Sequence, residues 1–132
     1  MAKTYQAQLL TPEGSRFKGE VESVRVPGSN GNFQMLHNHA PIVSSLGIGK
    51  ITIKQEGVDE LNFAVSGGFV EMSNNQLTIL AEKAEKSSDI DIEEAEQLIG
   101  DIKEKLESLD YRNKEVETEL AIAENRLKVA EA

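Results

Sequence analysis

Two histidines, His37 and His39, stand two residues apart beside Asn38, and on an extended strand they would share a face, as two ligands of a metal site do. No third ligand lies within local reach, and His37-Asn38-His39-Ala40-Pro41 reads as a loop with polar side chains. Two glycine clusters, Gly28-Ser29-Asn30-Gly31 and Ser66-Gly67-Gly68, contain the small residues of a phosphate cradle. Such a cradle opens a helix and usually brings a lysine, whereas both clusters run into strand-like text and so read as turns. Neither histidine stands beside a nucleophile elbow. Asp91, with Glu94 three residues on, is a capping box that satisfies the free amides at the start of a helix. No acid, base, nucleophile and oxyanion set can be assembled, so neither catalysis nor a cofactor is expected.

Charge narrows the partners. Among 132 residues there are 14 basic and 23 acidic side chains, net −9, and no cysteine for a disulfide or a thiolate metal site. Residues 1–86 hold 8 basic and 9 acidic residues, and residues 87–132 hold 6 and 14, so nearly all the imbalance lies in the C-terminal third. Nucleic acid is not an expected partner, since neutralising phosphates needs a basic patch. Acidic substrates and anionic membrane surfaces are disfavoured for the same reason. MAKTYQAQLL lacks the apolar run of a signal peptide, and no stretch approaches the ~20 apolar residues of a membrane helix. A soluble cytoplasmic protein is expected.

The text divides at residue 86. Before it, apolar residues alternate: Tyr5, Ala7 and Leu9; Val24 and Val26; Phe33 and Met35; Ile51 and Ile53; Leu61, Phe63 and Val65. Val21 is out of phase with Val24, which predicts a break near Ser23. Turns fall at Thr11-Pro12-Glu13-Gly14, Pro27 to Gly31, Gln55 to Asp59, Ser66-Gly67-Gly68 and Asn74-Asn75. Short strands with turns roughly every 8 to 12 residues predict an antiparallel sandwich or barrel.

From Lys83 alternation stops and helix formers take over. Ile92, Ala95, Ile99, Ile102, Leu106 and Leu109 step by three and four, as do Val116, Leu120, Ala123, Leu127 and Ala130. Two helices of about 16 and 20 residues, separated near Ser108-Leu109-Asp110, should zip into an antiparallel hairpin. Three stripe positions are alanine, so this hairpin has a weak core and should detach or open at a cost of only a few kcal/mol. The predicted organisation is α+β in two parts, a β sandwich over 1–86 and an α-helical hairpin over 87–132.

Thr11-Pro12 with Phe17, Gly19-Glu20-Val21-Glu22, Val26-Pro27-Gly28, Gly31, Asn38-His39-Ala40-Pro41, Ser66-Gly67-Gly68-Phe69-Val70-Glu71 and Leu77-Thr78-Ile79-Leu80-Ala81 follow one another across more than half of the chain. In order and spacing this text resembles the epsilon subunit of the rotary (F-type) ATP synthase. The resemblance implies a non-catalytic central-stalk subunit whose flattened sandwich clamps the gamma subunit and rests on the ring of c subunits. Ser29, Asn30, Asn32 and His39 would be the c-ring contacts. An exposed apolar patch on the sandwich is the corresponding physical expectation.

In nucleotide-sensing relatives the resemblance implies a motif of Ile or Leu, Asp, two variable residues, Arg and Ala; here it reads Ile90-Asp91-Ile92-Glu93-Glu94-Ala95, with Glu94 in place of the arginine. Asp91 and Arg126 are the residues left to contact a nucleotide, and Ile122 stands where a second basic residue would be. Inhibition of ATP hydrolysis would bring the C-terminal helices to the alpha and beta subunits through basic residues. Glu93, Glu94, Glu96, Asp101, Glu104 and Glu107 oppose such docking, while Arg112, Lys114, Arg126 and Lys128 favour it. The rival readings are an ATP-sensing regulatory subunit and an unrelated two-part adaptor. Placement would be peripheral, on the cytoplasmic face of the bacterial inner membrane, with the chloroplast stromal face as the alternative.

Overall fold

A computed structural model describes residues 3–132. Eight strands precede two helices: β1 Tyr5–Thr11, β2 Gly14–Val21, β3 Ser23–Gly28, β4 Gly31–Leu36, β5 Ile42–Ser45, β6 Ile48–Lys54, β7 Leu61–Ser73, β8 Gln76–Lys86, α1 Ile92–Glu107 and α2 Lys114–Glu131. The predicted break near Ser23 falls at Glu22, between β2 and β3.

The two longest strands belong to both layers of a sandwich. After Gly68, β7 pairs with β5 on one side and with the first half of β8 on the other, and that half of β8 continues through β1 to β2. Before Gly67, β7 pairs with the end of β8 and with β6, which continues through β3 to β4. Every pairing is antiparallel except β1 with β8, which is parallel and departs from the all-antiparallel expectation.

Alternation places Tyr5, Ala7, Leu9, Val70, Met72, Leu77 and Ile79 of the first layer against Val24, Val26, Met35, Ile51, Ile53, Phe63 and Val65 of the second in one buried core. No arm residue belongs to it.

Ser66-Gly67-Gly68 is not the turn that its composition suggests. β7 runs through it, with φ of +73° at Gly67 and +122° at Gly68, and the two glycines bend the strand from one layer into the other. Asn74 and Asn75 do form the predicted two-residue hairpin loop, both with positive φ, as a type I′ turn requires. β8 extends to Lys86, past the change of text at Lys83, because it stays paired with β7 from Ser66 back to Phe63; its inward phase switches from Leu77, Ile79 and Ala81 to Ala84 where the strand passes between layers.

Across the layers, the Tyr5 hydroxyl donates to the Met35 carbonyl at 2.6 Å. Burial pushes this phenol up to about 12, against a smaller opposing effect of a hydrogen bond with the Val24 backbone. In the unfolded chain tyrosine ionises near pH 10, so the neutral hydroxyl contributes fully below about pH 10 and its contribution is lost as pH rises through about 12. Tyr5→Phe is expected to cost about 1 kcal/mol at neutral pH, and the difference from the unsubstituted chain should shrink above about pH 11. Urea midpoints at the two pH values test this; a difference that does not change with pH would refute it.

The arm follows a 3-10 turn at Ser87–Asp89. Asp91 caps α1, its Oδ1 accepting the Glu94 amide at 3.1 Å, and Asn113 caps α2 in the same way at Val116. Ile102, Val116 and Ala123 form a small core inside the hairpin, flanked by Ile99, Leu106, Leu109 and Leu120. A second small cluster, Ala64, Ile90, Ala95 and Val129, attaches the hairpin to the outer face of the second layer. The predicted stripe needs two corrections: Ile92 at its edge is exposed, and Val129, which the stripe omitted, is buried against the sandwich.

Candidate interaction surfaces

Inward alternation leaves three large apolar residues on the outer face of the first layer. Phe69 is 59% exposed, Leu80 52% and Val43 71%. Phe69 stands opposite Leu80 on β8 and opposite Ser45 on β5, while Leu80 stands opposite Leu10 on β1. The exposed apolar patch therefore spans three strands, Val43 on β5, Phe69 on β7 and Leu80 on β8, with half-buried Leu10 on β1 at its edge. This is the exposed apolar patch that the resemblance implies, and phase accounts for its residues: Val70 and Met72 point inward, and so do Leu77, Ile79 and Ala81, so Phe69 and Leu80 must point outward.

The polar tip adjoins this row. Ser29 and Asn30 form the exposed β3–β4 turn, with Asn32 exposed just beyond it. The Ser29 amide donates to the Ser45 carbonyl at 3.0 Å, and the Ser45 hydroxyl donates to the Ser29 hydroxyl at 2.7 Å. Gly47 N–H donates to Pro27 O at 2.8 Å, and Leu46 N–H to Gly68 O at 2.9 Å, so the tip is tied to the bend in β7.

His39 is elsewhere. It follows the far end of β4, and at about 3.3 Å per residue six residues put roughly 17 Å between the two ends of that strand. Its loop lies against the β7–β8 turn, where Asn75 Oδ1 accepts the Asn38 amide at 2.8 Å, and its own Nδ1 is 2.7 Å from the Ala40 carbonyl oxygen. The structure thus groups Ser29, Asn30 and Asn32 and separates His39 from them. Among the described residues, no group of three or more His, Asp or Glu side chains is placed to hold a metal ion. No described helix is long and apolar enough to cross a membrane.

Arg126 and Asp91 also part company. A cleft of about 420 Å³ between the arm and the second layer is lined by Arg126, Lys83, Ser66, Glu85, Glu119 and apolar neighbours, but not by Asp91. The Asp91 carboxylate is committed to its cap. Arg126 is committed as well: Nε meets Glu85 Oε1 at 2.6 Å and Nη2 meets Oε2 at 3.1 Å. That hydrogen-bonded pair holds the guanidinium charged beyond its usual range, partial burial opposes it, and the fields of Glu85 and Glu94 add to it. Of the two cations that line the cleft, Arg126 is thus already matched by a carboxylate.

Three comparisons with known proteins bear on these surfaces. Residues 4–87 match the family described as "ATP synthase, Delta/Epsilon chain, beta-sandwich domain". The chain is 36% identical to the ATP synthase epsilon chain of Desulforamulus reducens, over 99% of this chain and 100% of that one. It is 40% identical to that of Leptospira borgpetersenii, over 85% and 87% respectively, and 37% identical to that of Salinibacter ruber, over 81% and 77%. In fold it is similar to a chain in the cryo-EM structure of the Euglena gracilis mitochondrial ATP synthase (OSCP/F1/c-ring), with TM-score 0.84 and 21% identity over 98% of this chain and 82% of that one. A chain of the Tetrahymena thermophila mitochondrial ATP synthase central stalk and c-ring gives TM-score 0.64 at 14% identity, over 95% of both.

Proposed function

The chain belongs to the ATP synthase delta/epsilon family, as an epsilon-type, non-catalytic subunit, and from that premise we propose that it is a rotor part of the central stalk that couples ion translocation to ATP synthesis. The observation that carries the coupling role is the apolar row Phe69, Leu80 and Val43 on the outer face of a sandwich whose core is complete without it. An exposed apolar patch across three neighbouring strands suits a permanent partner, and the gamma subunit is that partner in this reading. The polar tip Ser29, Asn30 and Asn32 meets the c-subunit ring as a wet contact. His39, some 17 Å along β4, would touch the ring only if that contact reached both ends of the strand. Torque passes through the sandwich because its close-packed layers resist deformation. The chain sits at the cytoplasmic face of the membrane, held there by the complex.

The arm is read as docked and non-inhibitory. Its first helix presents an acidic face, and Arg126, which lines the cleft with Lys83, is already paired. The same pairing weakens the ATP-sensing alternative, in which Asp91 and Arg126 would contact nucleotide. The test is ATP hydrolysis by the cognate catalytic complex lacking this subunit, with the full chain or a version ending at Lys86 added back. Both should associate and give rates within about twofold of each other, since the missing arm supplies no part of the sandwich core. Slower hydrolysis with the full chain alone would assign inhibition to the arm acting on the alpha and beta subunits. Failure of both to associate would sink the rotor reading.

A further inference from the structure

The contact between arm and sandwich is small in apolar terms and concentrated in polar ones. Its buried cluster is Ala64, Ile90, Ala95 and Val129, two of them alanines. Among the described residues, one ion pair joins the two parts: Arg126 on α2 with Glu85 on β8. The other three salt bridges, Arg16–Glu13, Lys105–Glu119 and Arg112–Glu117, each lie within one part. The remaining side-chain hydrogen bond across the seam runs from Asn125 Nδ2 to the Gly49 carbonyl at 2.9 Å.

The pair is bidentate, and the Arg126 side chain is only 17% exposed, so it is shielded from the screening that weakens surface ion pairs. Arg126 also feels Glu94, on the first turn of α1. One cation of the arm is therefore held by a carboxylate of the sandwich, at a seam where the arm brings 14 acidic residues against 6 basic ones.

We propose that Arg126 is an electrostatic pin that holds the helical arm docked on the second layer without any bound ligand, Glu85 being its anchor on the sandwich. The cleft is then held closed from within, and no phosphate is needed to bring arm and sandwich together. Removing the cation should do more than lose one bond. It leaves the half-buried Glu85 carboxylate unpaired against an arm of net negative charge, an arrangement that favours opening. Neutralising Glu85 as well removes the half-buried charge and should restore part of the docking.

The chain has no cysteine, so a pair of introduced thiols can be spin-labelled selectively, one at Val58 in the exposed β6–β7 turn and one at Tyr111 in the exposed α1–α2 connection. The full-length labelled chain should give one narrow distance distribution, unchanged by millimolar MgATP. R126Q is expected to raise the undocked fraction about tenfold, as a broad second population, and R126Q/E85Q to recover at least a third of that loss. Three results would each overturn the pin: a narrow distribution in R126Q, no recovery in the double variant, or an undocked fraction in the unsubstituted chain that MgATP removes. All are read on the isolated chain. Association with gamma is unaffected by them, so failure of the pin and failure of the rotor reading are separately visible.

Discussion

Replacing Gly68 with alanine is expected to destabilise the sandwich by about 4 kcal/mol or more, a large share of the roughly 5–15 kcal/mol that holds a domain of this size together. The reason is positional. A Cβ at Gly68 would lie 2.0 Å from the Leu80 carbonyl oxygen and 2.8 Å from the Ala81 Cα, on a backbone with φ of +122°. The clash cannot be relieved by a side-chain rotation, because the obstructing atoms are backbone. Nor can that backbone move freely, since Leu80 is paired with Phe69 on one side and Leu10 on the other. Strain at a φ that only glycine tolerates contributes about 1–3 kcal/mol, and forcing the two strands apart removes ladder hydrogen bonds worth about 1 kcal/mol each. Gly67→Ala supplies the contrast. Its Cβ would meet the Glu82 carboxylate at 2.9 Å, the far end of a flexible side chain that can swing away, so the cost should be about 1–2 kcal/mol. Urea unfolding of both variants measures the difference; equal losses would show that the bend is not where the two layers are held.

The same two glycines mark the limit of what the sequence makes legible. Alternation is a local signal, and it identified Tyr5, Ala7, Leu9, Val24, Val26, Ile51 and Ile53 as core. A glycine pair, however, has the same composition in a reversal as in a strand that changes layers. Only the pairing of β7 with β6 before the bend and with β5 after it separates the two, and that pairing is made by residues distant in sequence. Val129 was missed for a related reason. The α2 stripe was counted for one neighbour, α1, while α2 in fact presents a second face to Ala64. Asp91 was readable as a cap because capping is local, whereas the Arg126–Glu85 pair spans 41 residues and has no local sign. The candidate c-ring contacts divided along the same line. Ser29, Asn30 and Asn32 are neighbours in sequence and in space, but His39 is separated from them by the length of a strand that the text alone could not orient.

Phe69→Glu is expected to abolish association with the gamma subunit, raising its Kd by at least about 100-fold, while leaving the fold intact. Phe69 is 59% exposed in the isolated chain and contributes nothing to the buried core, so the substitution itself should change stability by no more than about 0.5 kcal/mol. At an interface the balance reverses. Loss of a central aromatic anchor costs about 2 kcal/mol or more, and a carboxylate buried in its place without a partner adds at least about 1 kcal/mol. Together these exceed the 2.8 kcal/mol or so that a 100-fold change in Kd requires. Glu71 lies on the same face two residues on, so a second carboxylate there would also repel its neighbour. Co-elution with gamma, together with thermal unfolding of the variant, separates a lost contact from a lost fold. Leu80→Glu should behave similarly, because Leu80 is the cross-strand neighbour of Phe69. If both variants bind gamma with unchanged affinity, the docking face is not the outer side of the first layer. The alternative is the outer face of the second layer, against which the arm packs in this structure, so a clamp placed there would require the arm to leave first.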